Sequence, residues 1–85
     1  MDTIVDRFLE TLIAEGIKMP WLEEVTGIET KRWHNIKQRK VMRTEELEAV
    51  LRVWPEYSYW MTTGSELPEA GQISPMTKRA QRQLK

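Results

Sequence analysis

The stretch WLEEVTGIETKRWHNI, Trp21 to Ile36, decides how the rest of the chain is read. With the preceding Met19 and Pro20 its first part reads as a short helix. Pro20 suits the start, where its missing N–H is not needed, and Gly27 supplies the left-handed conformation that ends a helix and turns the chain. IETKRWHNIKQ then resumes a helical pattern, with Ile28, Trp33 and Ile36 apolar and Ile28 falling in the turn itself. Thr30 or Glu29 can cap this helix. Helix, glycine, helix is a common arrangement, so its surroundings must carry the reading.

Upstream, TIVDRFLETLIAEG places Ile4, Val5, Phe8, Leu9, Leu12 and Ile13 on one helical stripe, with Asp2 or Thr3 as cap and Gly16 as stop. Downstream, RTEELEAVLRVW predicts a fourth helix. Thr44 is its expected N-cap, Glu45 and Glu46 sit at the positive end of its dipole, and Leu47, Val50, Leu51 and Trp54 form its buried stripe. Pro55 breaks that helix and starts a fifth, PEYSYWMTTG, closed by Gly64. SELPEAGQISP, with two prolines and a glycine, predicts a loop or linker. MTKRAQRQLK has only Met76, Ala80 and Leu84 at helical spacing and predicts a marginal helix or a disordered basic tail. The expected fold is all-α: a compact bundle of four to five short helices over residues 1–64, followed by a linker and basic C-terminal tail over 65–85.

Composition narrows the function. Eighty-five residues make one domain, close to the lower limit for a self-sufficient core. No apolar run approaches a membrane span, and the N-terminus has no signal-peptide pattern. Without cysteine, and with one histidine, disulfides are excluded and neither a metal site nor another cofactor is expected. No nucleophile–base pair or phosphate loop is present, so no enzyme activity and no catalytic residue is expected. A cytoplasmic place fits. The net charge is zero, yet residues 30–43 hold six bases and no acid, between two segments of net −5 each (1–29 and 44–70). Residues 71–85 add four more bases. Charge segregated in this way predicts a basic face on an acidic body.

A short turn with a left-handed glycine sets two helices at a steep angle, so the second can protrude into a DNA major groove while the first crosses the backbone. In this chain the protruding helix is also the basic one. Residues of about 4–64 resemble the lambda-repressor-like, or Xre-type, helix-turn-helix domain of phage and bacterial repressors. WLEEVTGIETKRWHNI is similar to that family's second helix, turn and recognition helix, and WPEYSYWMTTG to its proline-started closing helix. The resemblance implies a five-helix fold and sequence-specific binding of double-stranded DNA as a homodimer. It also implies transcriptional control of the phage or prophage repressor or Cro-like kind, in a bacterial cytoplasm at the nucleoid. Carried over by position, Thr30, Lys31, Arg32, His34 and Asn35 would face base edges. Gln38 and Arg39 would contact phosphate, joined by Lys37, Lys40 and Arg43. The chemistry agrees. Lys31 or Arg32 can donate to guanine O6 and N7, Asn35 can pair bidentately with adenine, and the remaining cations suit phosphates.

The sequence also departs from that pattern. Met19 stands where the family usually has a polar residue touching the DNA backbone. Glu23 stands where a small residue is usual, so it must lean outward or find a cation such as Arg32, and a wider helix crossing is expected. Gln38–Arg39 replaces a short Asn-Gly-like turn, so the recognition helix is expected to run longer. Trp33, Trp54 and Trp60 are expected in the core and Trp21 on the surface. Dimerisation is expected through YSYWMTTG or the C-terminal segment. The alternative is a protein-binding module, an inhibitor, adaptor or antitoxin, that keeps this fold but acts on a protein partner through Met19, Trp21 and Glu23.

Overall fold

Thr3 opens the first helix, α1 (Ile4–Glu15), by a reciprocal cap. Its hydroxyl accepts the Asp6 N–H and the Asp6 carboxylate accepts the Thr3 N–H, both at 3.1 Å. Gly16, at φ 65°, closes α1 by donating back to Leu12 and Ile13, a conformation in which any side chain would be strained. In this computed structural model, which describes residues 2–83, five more α-helices follow. They are α2 (Met19–Thr26), α3 (Thr30–Arg39), α4 (Thr44–Val53), α5 (Ser58–Thr63) and α6 (Pro75–Gln83). One 3-10 turn, Pro55–Tyr57, leads into α5, and another, Pro68–Ala70, lies in the connection to α6. No strand occurs among the described residues, so the fold is all-α as expected. No helix among them is long and apolar enough to cross a membrane.

The core forms where the apolar stripes meet. Val5, Phe8 and Leu12 of α1, Leu22 of α2, and Trp33 and Ile36 of α3 bury against Val50 and Trp54 at α4, Tyr57, and Met61 of α5. Trp33 is fully buried beside Phe8, with ring centroids 5.5 Å apart. Its indole N–H donates to the Ile28 carbonyl at 3.0 Å, so one side chain fixes α3 both to α1 and to its own leading turn. Trp54 is buried and Trp60 half-buried against the core, while Trp21 remains 41% exposed, tilted against Trp54. A charged group also belongs to the interior. Arg7 is buried, donating from Nε to the Met61 carbonyl at 2.8 Å and from Nη1 to the Asp2 carboxylate at 2.8 Å. It thereby ties α1 to α5 with both ends of its charge satisfied.

Two sequence expectations are corrected here. Thr44 is not the cap of α4. The N-cap position is Arg43, whose N–H is taken by the Glu46 carboxylate at 2.7 Å. Residues 65–83 are not a free linker and disordered tail: the helical alternative holds, as α6, and the segment is folded onto the body. Gln72 donates to the Pro55 carbonyl and accepts the Tyr59 N–H, and the Ile73 N–H reaches the Glu56 carbonyl. Glu66 accepts from the Ser74 N–H and the Thr77 hydroxyl, and the Ser74 hydroxyl caps α6. Lys78 pairs with Glu56 at 2.7 Å and lies 5.5 Å from the centre of the Tyr57 ring. The docking is mostly polar, so the scarce apolar residues of this segment gave no sign of it. Leu84, which completes the sequence spacing of that helix, lies outside the described residues together with Lys85.

Candidate nucleic-acid interface

Three fastenings hold α3 on the body and determine which of its side chains remain free. Trp33 and Ile36 anchor its buried side. At its start Glu23 leans across the Gly27 turn, and one carboxylate oxygen accepts both the Thr30 N–H and the Thr30 hydroxyl at 2.7 Å each. The Thr30 N–H bond, then the hydroxyl bond, hold the Glu23 carboxyl below the ordinary glutamate range, and its charge sits at the positive end of the α3 dipole. Glu29, one of the two expected caps, does hold the N-cap position of α3 but makes no side-chain cap bond, and the acceptor for the head of the helix comes from Glu23 instead. On the opposite flank Arg32 makes a bidentate ion pair with Glu46, through Nε and, at 2.9 Å, Nη2. Glu46 is only 5% exposed, and the Arg32 hydrogen bonds push its carboxyl below the usual range despite burial.

Several predicted contacts change place as a result. Arg32 turns onto α4 and is removed from the base-facing set. Thr30 keeps its position at the head of α3, but both its donors are committed to Glu23. Lys40 closes α3 at φ 59°, the single non-glycine left-handed residue among those described, and its ammonium pairs with Asp6 at 2.9 Å. That contact, with the Thr3 hydrogen bonds, brings the Asp6 carboxyl down to about 2. Lys40 is thus engaged within the chain, although half its side chain is exposed. The helix does run through Gln38 and Arg39, as the missing turn implied.

What remains outward is a consistent set. Lys31, His34, Lys37, Gln38 and Arg39 are exposed, and Arg43 is exposed in the loop beyond. Lys31, Asn35 and Gln38 repeat at helical spacing on the side opposite Trp33 and Ile36. Asn35 is half-buried, and its side-chain oxygen is itself buried, without a hydrogen-bond partner among the described residues. No acid lies on α3. Lys37 faces a neighbour that the sequence did not suggest. It lines one cleft, of about 360 Å³, with Lys18 and Met19 at the start of α2 and Leu12, Ile13 and Ile17 below. Met19 is half-buried against the core, which explains an apolar residue at a position that is usually polar. Glu46 was missed as a site residue because its partner Arg32 lies on another helix, and Glu23, for which Arg32 was the expected cation, has its partner in Thr30 across the turn.

No protein-family model matches the chain, and no curated protein matches it. Among solved structures it is similar to Pf6r from the filamentous phage Pf6 of Pseudomonas aeruginosa PA01. The two are 35% identical over 96% of each chain, with a TM-score of 0.78. Identity at that level across nearly the full length of both chains, in the same fold, extends well beyond one motif. The chain belongs to the family of the filamentous-phage protein Pf6r.

Proposed function

We propose that this protein is a sequence-specific double-stranded DNA-binding transcriptional regulator of the lambda-repressor-like kind, acting as a dimer on a palindromic operator as a phage or prophage repressor. The observation that carries the reading is the outward face of α3. Lys31, His34 and Gln38 stand exposed and free of acids on a helix fastened at its head by Glu23, on one flank by Arg32–Glu46 and from beneath by Trp33. A helix held so rigidly presents its donors at fixed spacing, as base reading requires. Lys31, with His34 and Gln38 beside it, is then the base-reading set, and Lys37, Arg39 and Arg43 the phosphate contacts. Kinship with a filamentous-phage protein supports a phage regulator.

The test is a gel shift with fragments from beside the chain's own gene at increasing salt. Binding should weaken with a slope of roughly 0.9 per phosphate neutralised. Lys31→Ala should relax base preference, whereas Lys37→Ala should weaken all fragments alike and lower the slope by about 1. Absence of binding to any fragment at low salt would remove the reading. A second reading, a module that binds a protein partner, draws on Trp21 and Val25, exposed one turn apart on α2. Its expected result is retention of a host or phage protein by the wild type and not by Trp21→Ala, with no DNA retardation.

A further inference from the structure

The two most exposed large apolar side chains among the described residues are Ile13, 82% exposed, and Met76, 75% exposed. They are not scattered. Ile13 of α1 and Met76 of α6 line the same groove, of about 210 Å³, with Ala14 and Pro75 as its floor. Ile13 also forms the edge of the larger cleft next to Lys37, so the apolar strip continues past the end of α1 to Ile17. Isolated exposed apolar residues are ordinary, but a contiguous strip crossing two helices marks a surface that is covered by something.

The rim indicates what covers it. Each helix presents one apolar and one charged residue a single turn apart: Glu10 before Ile13 on α1, and Arg79 after Met76 on α6. Glu10 and Arg79 both border the groove, are exposed, and have no ion-pair partner among the described residues. The helices themselves carry opposite charge. α1 has Asp6, Glu10 and Glu15 against Arg7, and α6 has Lys78, Arg79 and Arg82 with no acid. A uniformly acidic or basic partner would be attracted at one edge of such a face and repelled at the other. A face with both signs, one on each side of an apolar centre, complements a copy of itself turned by a two-fold axis.

We infer that the α1–α6 face is the site of self-association. Two copies pack Ile13 and Met76 together about a two-fold axis, and Glu10 of each copy meets Arg79 of the other. The inference deepens the dimeric part of the function proposed above and does not depend on DNA contact by α3. It also gives a purpose to the polar stitching of residues 65–77, which fastens the segment leading into α6 to Pro55, Glu56 and Tyr59 and so places α6 beside α1.

Sedimentation equilibrium of the full chain tests this without DNA, from about 1 µM to about 1 mM. The wild type should dimerise, and Ile13→Asp should raise the dimer Kd roughly thirtyfold or more, since each dimer loses two central anchors. Its melting temperature should stay near that of the wild-type monomer because the side chain is exposed. Glu10→Arg and Arg79→Glu should each weaken the dimer by roughly tenfold, and the double reversal should restore it to within about threefold of wild type. That rescue is specific to a pair crossing the interface, and it keeps the test decisive if Ile13→Asp proves unstable. A wild type monomeric throughout, an Ile13→Asp dimer of unchanged Kd, or a double reversal no better than the single ones would each overturn the inference. Failure of the DNA-binding reading appears separately, as a dimer that retards no fragment.

Discussion

Trp33→Phe separates a structural Trp33 from a nucleic-acid-stacking one. The side chain is fully buried, 5.5 Å from the Phe8 ring and hydrogen-bonded to the Ile28 carbonyl at 3.0 Å. Phenylalanine keeps a ring against Phe8 but removes roughly 40 Å³, which costs about 1 kcal/mol at about 24 cal/mol per Å³ of cavity. The apolar atoms withdrawn from the core contribute about 1 kcal/mol more. Loss of the N–H leaves the Ile28 carbonyl without its partner in the turn that launches α3, again about 1 kcal/mol. Together these destabilise the fold by about 3 kcal/mol, a fall in melting temperature of about 12–24 °C for a domain of this size. Far-UV circular dichroism during heating and in urea measures it, and an unchanged m-value would show that the unfolded state is not altered. A variant within about 0.5 kcal/mol of wild type that had nevertheless lost DNA affinity would refute the reasoning and put Trp33 on the DNA surface.

Two further outcomes follow from the fastenings of α3. Glu46→Gln should destabilise the protein at neutral pH and flatten its acid limb. The folded-state carboxyl lies below the ordinary value of 4.5, so its ion pair with Arg32 contributes fully above that pH and is lost as pH falls through the lower value. Unfolding curves at stepped pH check this, and an unchanged acid limb would show that the pair contributes nothing. Glu23→Ala should speed amide hydrogen exchange at Thr30 and in the first turn of α3, leaving exchange in α1 unaltered, because only the head of α3 loses its acceptor. Equal exchange at Thr30 in both proteins would deny Glu23 its capping role.

Much of the fold is legible in the residues because helix limits are local. The Thr3 cap, the glycine stops at Gly16, Gly27 and Gly64 and the stripes through Phe8, Trp33 and Val50 all depend on neighbours within a turn or two. The burial of Trp33 follows from the same spacing, whereas the exposure of Trp21 was expected from the resemblance. For the C-terminal segment the helical alternative holds, as α6, but its docking was not legible, for the converse reason. Gln72, Glu66 and Lys78 dock it through hydrogen bonds to residues eight to 22 positions away, and such polar contacts leave no periodicity.

The basic stretch after Gly27 shows where the division falls. The sequence alone determined that residues 30–39 form a helix, that Trp33 and Ile36 face inward, and that the remaining positions carry cations and no acid. These consequences need only the helical repeat and the burial of apolar groups. It did not determine which cations remain free. Arg32 and Lys40 read as surface cations until α4 brings Glu46 to one and α1 brings Asp6 to the other. Glu23 reads as a misfit until the Gly27 turn carries it to the first N–H of α3. A charge is available to a ligand only if no opposite charge in the fold has already taken it, and that is settled by distances between helices, which only the tertiary structure sets.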